Sequence, residues 1–146
     1  MKLSNDAQAV IIKQDEEGAL SFLVIKRFDK DKQTDHYRLV KGGVEQNETS
    51  EQAAIREVGE EVGINDIIRS DFLCHYGYVG GEIRHEVDVY LIFVDPRDTE
   101  VSVDSRNEGG FTIKNAAWLS SDDAITKLTF EDEKKLIVES VEKLAI

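Results

Sequence analysis

The segment that most constrains this chain is GGVEQNETSEQAAIREVGEEVGI, Gly42 to Ile64. It contains the clearest helix, Thr49 to Val62, and both ends of that helix are legible. Thr49 with Gln52 forms a capping box, in which each side chain satisfies a backbone N–H of the other, and Gly63 suits the left-handed residue that ends a helix. Ile55, Val58 and Val62 fall on one apolar stripe. Glu57, Glu60 and Glu61 fall within about 100° of arc on the same cylinder. In isolation each like-charged neighbour costs a few tenths of a kcal/mol, roughly, unless positive charge sits between them. A hard divalent cation with oxygen preference, Mg²⁺ or Mn²⁺, is the natural compensation, and a solvated acidic face is the plainer alternative.

Around this helix, Ala9 to Ile12 and Phe22 to Ile25 read as strands, and FDKDKQTD (Phe28 to Asp35) as a charged loop. Tyr37 to Val40 reads as a brief strand that delivers the chain to Gly42 and Gly43. Phe72 to Val79 and Val87 to Val94 read as strands around a Gly80-Gly81 turn, and Phe111 to Leu119 as a further strand. A short helix over Ser121 to Lys127 precedes a terminal helix, Phe130 to Leu144. Thr129 is its candidate N-cap, and Phe130, Ile137, Val141 and Leu144 share a face. Gly59, a mid-helix glycine costing about 1 kcal/mol relative to Ala, lies near the apolar stripe and predicts close helix-sheet packing. The mixture predicts an α/β fold, a mixed β-sheet between helices, in one domain over 1–146.

Thirty acidic against eighteen basic residues leave a net charge of -12. A surface that negative repels phosphate backbones, and no Lys/Arg block reverses it, so nucleic acid polymers are not expected partners. The longest fully apolar run, Tyr90 to Val94, is far below the roughly 20 residues of a bilayer span, so no membrane partner is expected. MKLSNDAQAV meets Asp6 before a signal-like stretch forms. The single Cys74 leaves no intrachain disulfide or multi-Cys metal site and is expected to be inert in its apolar strand. His36, His75 and His85 show no metal-ligand spacing. A cytoplasmic monomer or homodimer is the expectation.

Gly42, Glu48, Arg56, Glu57, Val58, Glu60, Glu61, Gly63 and Ile64 follow a fixed spacing: Gly, five residues, Glu, seven residues, then Arg-Glu-aliphatic-any-Glu-Glu-any-Gly-aliphatic. This resembles the Nudix box of the Nudix hydrolases at every specified position, where a chance match is on the order of one in a million. The resemblance implies an α/β/α sandwich and Mg²⁺-dependent hydrolysis of a phosphoanhydride in a small nucleotide. It implies that Glu57, Glu60 and Glu61 hold one to three Mg²⁺ ions, with a bare carbonyl at Gly42 able to join them and Glu57 a candidate base. Arg56 would pair with Glu48 and, with Gly63, form the structural part of the motif. Glu108, in the loop SRNEGG, sits where many Nudix enzymes supply a further Glu as base or metal ligand; Glu86 is a second candidate of that kind. Lys41 could touch a phosphate oxygen, as could Lys26 and Arg27. Tyr37, Tyr76 and Tyr78 could offer a stacking surface for a base, and Trp118 reads as core.

The stretch LVKGGVE resembles the Pro-Lys-Gly-Gly approach to the box in dinucleoside polyphosphate hydrolases, with Val40 in place of the proline. The tail from Trp118 through KLTFEDEKKLI resembles bacterial dinucleoside tetraphosphate hydrolases, and Tyr78 stands near the Tyr they often carry past the box. The proline of many ADP-ribose hydrolases is replaced by Val79 and Gly80, which argues against ADP-ribose. The expected activity is cleavage of a nucleoside polyphosphate, a dinucleoside tetraphosphate favoured, by direct water attack. The alternatives are a mutator-type (deoxy)nucleoside triphosphate pyrophosphatase and a silent nucleotide sensor. Such sensors commonly lose a box Glu, and this chain has lost none. A plain acidic interaction module is a third.

Overall fold

The computed structural model describes residues 1–97, 100–103, 107–108 and 111–145, with the side chains at 107, 108 and 111 outside that description. Among the described residues, eight strands and three helices follow in the order β1 (Lys2–Gln14), β2 (Leu20–Asp29), β3 (Thr34–Arg38), β4 (Val40–Gly43), α1 (Ser50–Val62), β5 (Ile67–Gly80), β6 (Ile83–Val94), β7 (Asn107–Glu108), β8 (Phe111–Leu119), α2 (Ser121–Lys127) and α3 (Glu131–Leu144). The main sheet runs β5-β6-β1-β2-β8-β7, with β3 on β2 and β4 on β1. β1 and β6 are parallel, whereas the other pairings among the described residues are antiparallel.

Period-two alternation along β1 explains the layers. Ala9 and Ile11 join Val58 and Val62 of α1 on one face, while Val10 and Ile12 join Leu136 and Ile137 of α3 on the other. β1 is therefore apolar on both sides over this stretch, and the sheet lies between helices, as the strand-helix mixture predicts. No helix among the described residues is long and apolar enough to cross a membrane.

Several local expectations are corrected. Phe28 and Asp29 extend β2, and Thr34 and Asp35 open β3, so the charged loop shrinks to residues 30–33. The β5–β6 turn is Gly81-Glu82, because Gly80 still pairs with Ile83. Thr129 does not cap α3: Phe130 is the N-cap residue, without a side-chain cap bond, and Thr129 Oγ1 instead accepts from the Tyr37 N–H at 2.7 Å. The fully buried residues of α3 are Glu133, Leu136, Ile137 and Ser140, Val141 and Leu144 pack half-buried against the same core, and of the expected face only Phe130 is left outward. A Cβ on Gly59 would meet Asn65 Oδ1 at 2.8 Å, so its tight contact is with the turn following its own helix, not with the sheet. Trp118 is only partly buried at the rim of the α1-side core, with Lys13 Nζ 4.7 Å from its ring centre.

Candidate functional site

Helix α1 starts and stops where its ends are written. Thr49 Oγ1 accepts from the Gln52 N–H at 3.1 Å, Gln52 Oε1 accepts from the Thr49 N–H at 2.9 Å, and Gly63 closes the helix at φ 71°. Between these ends the acidic residues divide. Glu57 and Glu61 are 7% and 3% exposed, while the Glu60 side chain stays open to solvent. Burial pushes the Glu57 carboxyl above the ordinary carboxylate range, with Arg56 opposing the shift.

Arg56 knots the preceding loop to this cluster. Its Nε and Nη2 donate to Glu48 at 2.8 and 3.0 Å, Nη2 also to the Gly43 carbonyl at 2.9 Å, and Nη1 to Glu57 and Glu60 at 2.8 and 3.1 Å. Glu48 in turn accepts from the Glu45 N–H at 3.0 Å and is held below the usual carboxylate range, chiefly by Arg56. On the other side, β4 runs so close to α1 that a Cβ on Gly42 would lie 2.2 Å from the Glu57 carboxylate carbon. Only a residue without a side chain lets that carboxylate lie against the strand.

The donor set tests whether a cation fits. Two nearly dry carboxylates, a third at the rim and the adjoining backbone offer oxygen alone, the chemistry that hard divalent ions prefer. No group of three His, Cys, Asp or Glu side chains among the described residues is placed to hold an ion as it stands, and Arg56 Nη1 bridges Glu57 and Glu60. The residue types fit a divalent ion, and the guanidinium stands in for part of its charge.

Gly42 and Gly43 also border a cleft of about 650 Å³ on the β1–β4–β5 side of the sheet. Arg27, Lys32, Arg38 and Lys41 line it against Asp6, Asp132 and Glu133, so the lining carries one positive charge in excess on a chain of net charge -12, with Arg38 paired to Glu133 and Lys41 to Asp6. Lys41 and Tyr78 meet here: Lys41 Nζ donates to the Tyr78 hydroxyl and lies 4.8 Å from the ring centre. Tyr78 stacks on His85 at 4.6 Å and on Tyr76 at 6.2 Å. Asp6 secures the group, accepting from Ser4 Oγ at 2.7 Å and Lys41 Nζ at 3.4 Å, with His85 Nδ1 at 2.7 Å. Burial alone would raise the Asp6 carboxyl, but the Ser4 and His85 hydrogen bonds, with Lys41, hold it below its ordinary range.

Sequence reasoning missed Asp6, Gln8, Arg38, His85, Phe130 and Glu133. Each is unremarkable locally and gains meaning only from partners far along the chain. Other candidates lie elsewhere. Glu86 grips Arg84 and His75 at 2.8 and 2.6 Å on β6, and Lys26 pairs with Asp35 at 3.7 Å. Tyr37 lies between no cleft groups but against Lys26 and Lys127, 5.9 and 4.4 Å from its ring centre. Glu108 belongs to the two-residue strand β7, paired with Phe111, not to a loop; its side chain lies outside the described residues.

The NUDIX domain family model matches residues 4–140. Comparison with the curated proteins finds no match. Among solved structures, a binary complex of Caenorhabditis elegans Ap4A hydrolase superposes with TM-score 0.77 at 24% identity, covering 97% of this chain and 98% of the other. The NUDIX domain of Shewanella oneidensis NrtR complexed with ADP ribose gives 0.77 at 16%, covering 99% and 89%. The MutT protein of Methanosarcina mazei gives 0.73 at 19%, covering 97% and 94%. At these identities the superpositions speak for the fold.

Proposed function

Since the chain belongs to the Nudix family of hydrolases, we propose that it cleaves a phosphoanhydride bond of a nucleoside polyphosphate by direct attack of water, with dinucleoside tetraphosphates the favoured substrates. The carrying observation is the position of Gly42, which borders the aromatic cleft and abuts the Glu57 carboxylate. A nucleotide seated in the cleft would bring its phosphates to the acidic cluster. The substrate preference rests on the LVKGGVE approach to the box and the tail from Trp118, which resemble those of dinucleoside polyphosphate hydrolases.

Glu57, Glu60, Glu61 and the Gly42 carbonyl would hold Mg²⁺, or Mn²⁺ in its place. The chemistry such an ion supplies is a more acidic water and neutralised phosphate charge. Lys41, held by Asp6 and Tyr78, adds a fixed positive charge toward the phosphates. Tyr78, half-buried and stacked on His85, would border the base. The box supplies carboxylates, and among Gly42, Arg56, Glu60 and Glu61 beside Glu57 there is no Ser, Cys or His nucleophile, which supports direct water attack. Glu57 and Glu108 are the two candidates for the base, a role worth roughly 10²- to 10⁴-fold.

The test is a Mg²⁺-supplemented panel of dinucleoside tetraphosphates and (deoxy)nucleoside triphosphates, run in ¹⁸O-labelled water with product identification. Fastest turnover of a dinucleoside tetraphosphate, with label in one phosphate-containing product, is the expected result. Preference for triphosphates would replace the substrate assignment with the mutator-type alternative. No turnover of any nucleotide would refute hydrolysis and leave a nucleotide sensor.

A further inference from the structure

The α3-side wall of the cleft contains a buried polar network that the proposed chemistry does not use. Glu133, 1% exposed, comes from the first turn of α3. Its Oε1 accepts from Arg38 Nε at 2.9 Å, and its Oε2 from Gln8 Nε2 at 2.5 Å and the Leu39 N–H at 3.4 Å. Gln8 is fully buried on β1, and its Oε1 accepts from the Tyr76 hydroxyl of β5 at 2.6 Å. Strands β1, β3 and β5 and helix α3 therefore converge on one carboxylate.

Burying such a charge is unfavourable, and its partners offset that without a large net gain in stability. Its clearer consequence is orientation. Arg38 spends one nitrogen, Nε, on Glu133, and its guanidinium carbon lies 4.7 Å from the Phe130 ring centre. Among the described residues Nη1 and Nη2 make no hydrogen bond, and the side chain borders the cleft. A planar fork fixed along one edge and stacked on a ring presents its other edge in one direction, a geometry suited to two oxygens of a phosphate.

We infer that Arg38 is a phosphate-binding residue of the cleft and that Glu133, locked by Gln8, is its positioning residue. The inference rests on the cleft being the nucleotide site and adds a specificity element to it: affinity for the polyphosphate chain, set from the α3 wall.

The test measures Mg²⁺-supplemented binding of a nucleoside triphosphate in which both anhydride oxygens are replaced, the α,β:β,γ-bismethylene analogue of ATP, by calorimetry. Arg38→Met keeps an apolar stem over Phe130 and removes the fork. It should weaken binding roughly 10- to 100-fold, the range of charge-assisted hydrogen bonds; because Glu133 also loses a partner the melting temperature should fall, so binding is compared at a temperature where circular dichroism shows the variant folded. Arg38→Lys should recover part of that loss, since it restores charge without the fork. Glu133→Gln should weaken binding in the wild-type background and add nothing in the Arg38→Met background, the signature of action through Arg38. Wild-type affinity in Arg38→Met would overturn the inference while leaving the cleft reading intact, and additive losses would overturn the positioning role. Should Glu133→Gln fail to fold, the Arg38 variants still decide the central point. A wild-type protein that does not bind the analogue would remove the cleft reading and this inference together.

Discussion

At Gly42 a missing side chain determines what its neighbour can do. The Glu57 carboxylate occupies the space a Cβ would need, with approaches of 2.2 Å, so Gly42→Ala must push the carboxylate or the strand aside. Misplacing a catalytic group by about 1 Å can cost roughly 10²-fold. Gly42→Ala is therefore expected to lower hydrolysis by about that factor or more while leaving α1 folded, checked by steady-state kinetics beside far-ultraviolet circular dichroism. Cys74 illustrates the opposite case, a reactive atom silenced by its setting. Burial, then a hydrogen bond and the negative charge of Glu139, push its thiol up to about 12. Thiolate is the species that alkylates, and its fraction rises tenfold per pH unit until that value is reached. Labelling by iodoacetamide near neutral pH should run about 10³-fold slower than for a free cysteine and should accelerate steadily with rising pH. A rate that levels off near pH 9 would show an ordinary thiol.

Helix α1 carries the acidic residues and owes its frame to its two ends. Thr49→Ala removes the hydroxyl that accepts from the Gln52 N–H and should cost about 1 kcal/mol. Gly63→Ala forces a Cβ into a φ of 71° and to within 3.0 Å of the Ser102 side chain and 3.1 Å of its carbonyl. It should cost about 1–2 kcal/mol, more than the cap. Urea midpoints read both, and a Gly63→Ala protein as stable as wild type would contradict this account of the stop. These ends were legible because a helix signals its own boundaries within four residues. The meeting of Arg56 with Glu48 across eight positions was instead implied by the resemblance of the box spacing, not by a local signal. Helical phase places Phe130 on the face of Ile137, Val141 and Leu144; in the fold it precedes α3 and turns to His36 and Arg38, 5.3 and 4.7 Å away.

On the scale of the whole molecule, the fold gathers basic side chains of an acidic chain around one cleft. That gathering was illegible in sequence, because its parts come from opposite ends of the chain: Gln8 and Glu133 stand 125 positions apart, and Asp6 and His85 stand 79 apart. No local pattern marks a glutamine on an apolar strand or a glutamate in the first turn of an acidic helix as a partner. Layering was legible, since the apolar alternation of β1 and the stripe of α1 demand faces on which to bury. In the proposed function this cleft and the adjoining carboxylates act together on a nucleoside polyphosphate with a divalent ion. The deciding measurement is the rate of dinucleoside tetraphosphate cleavage by wild type and Glu61→Gln, each in Mg²⁺ and in EDTA. Turnover by wild type is expected in Mg²⁺ alone, with a loss of on the order of 10³-fold or more in Glu61→Gln. Equal rates in EDTA and Mg²⁺, or a Glu61→Gln enzyme as fast as wild type, would contradict that function.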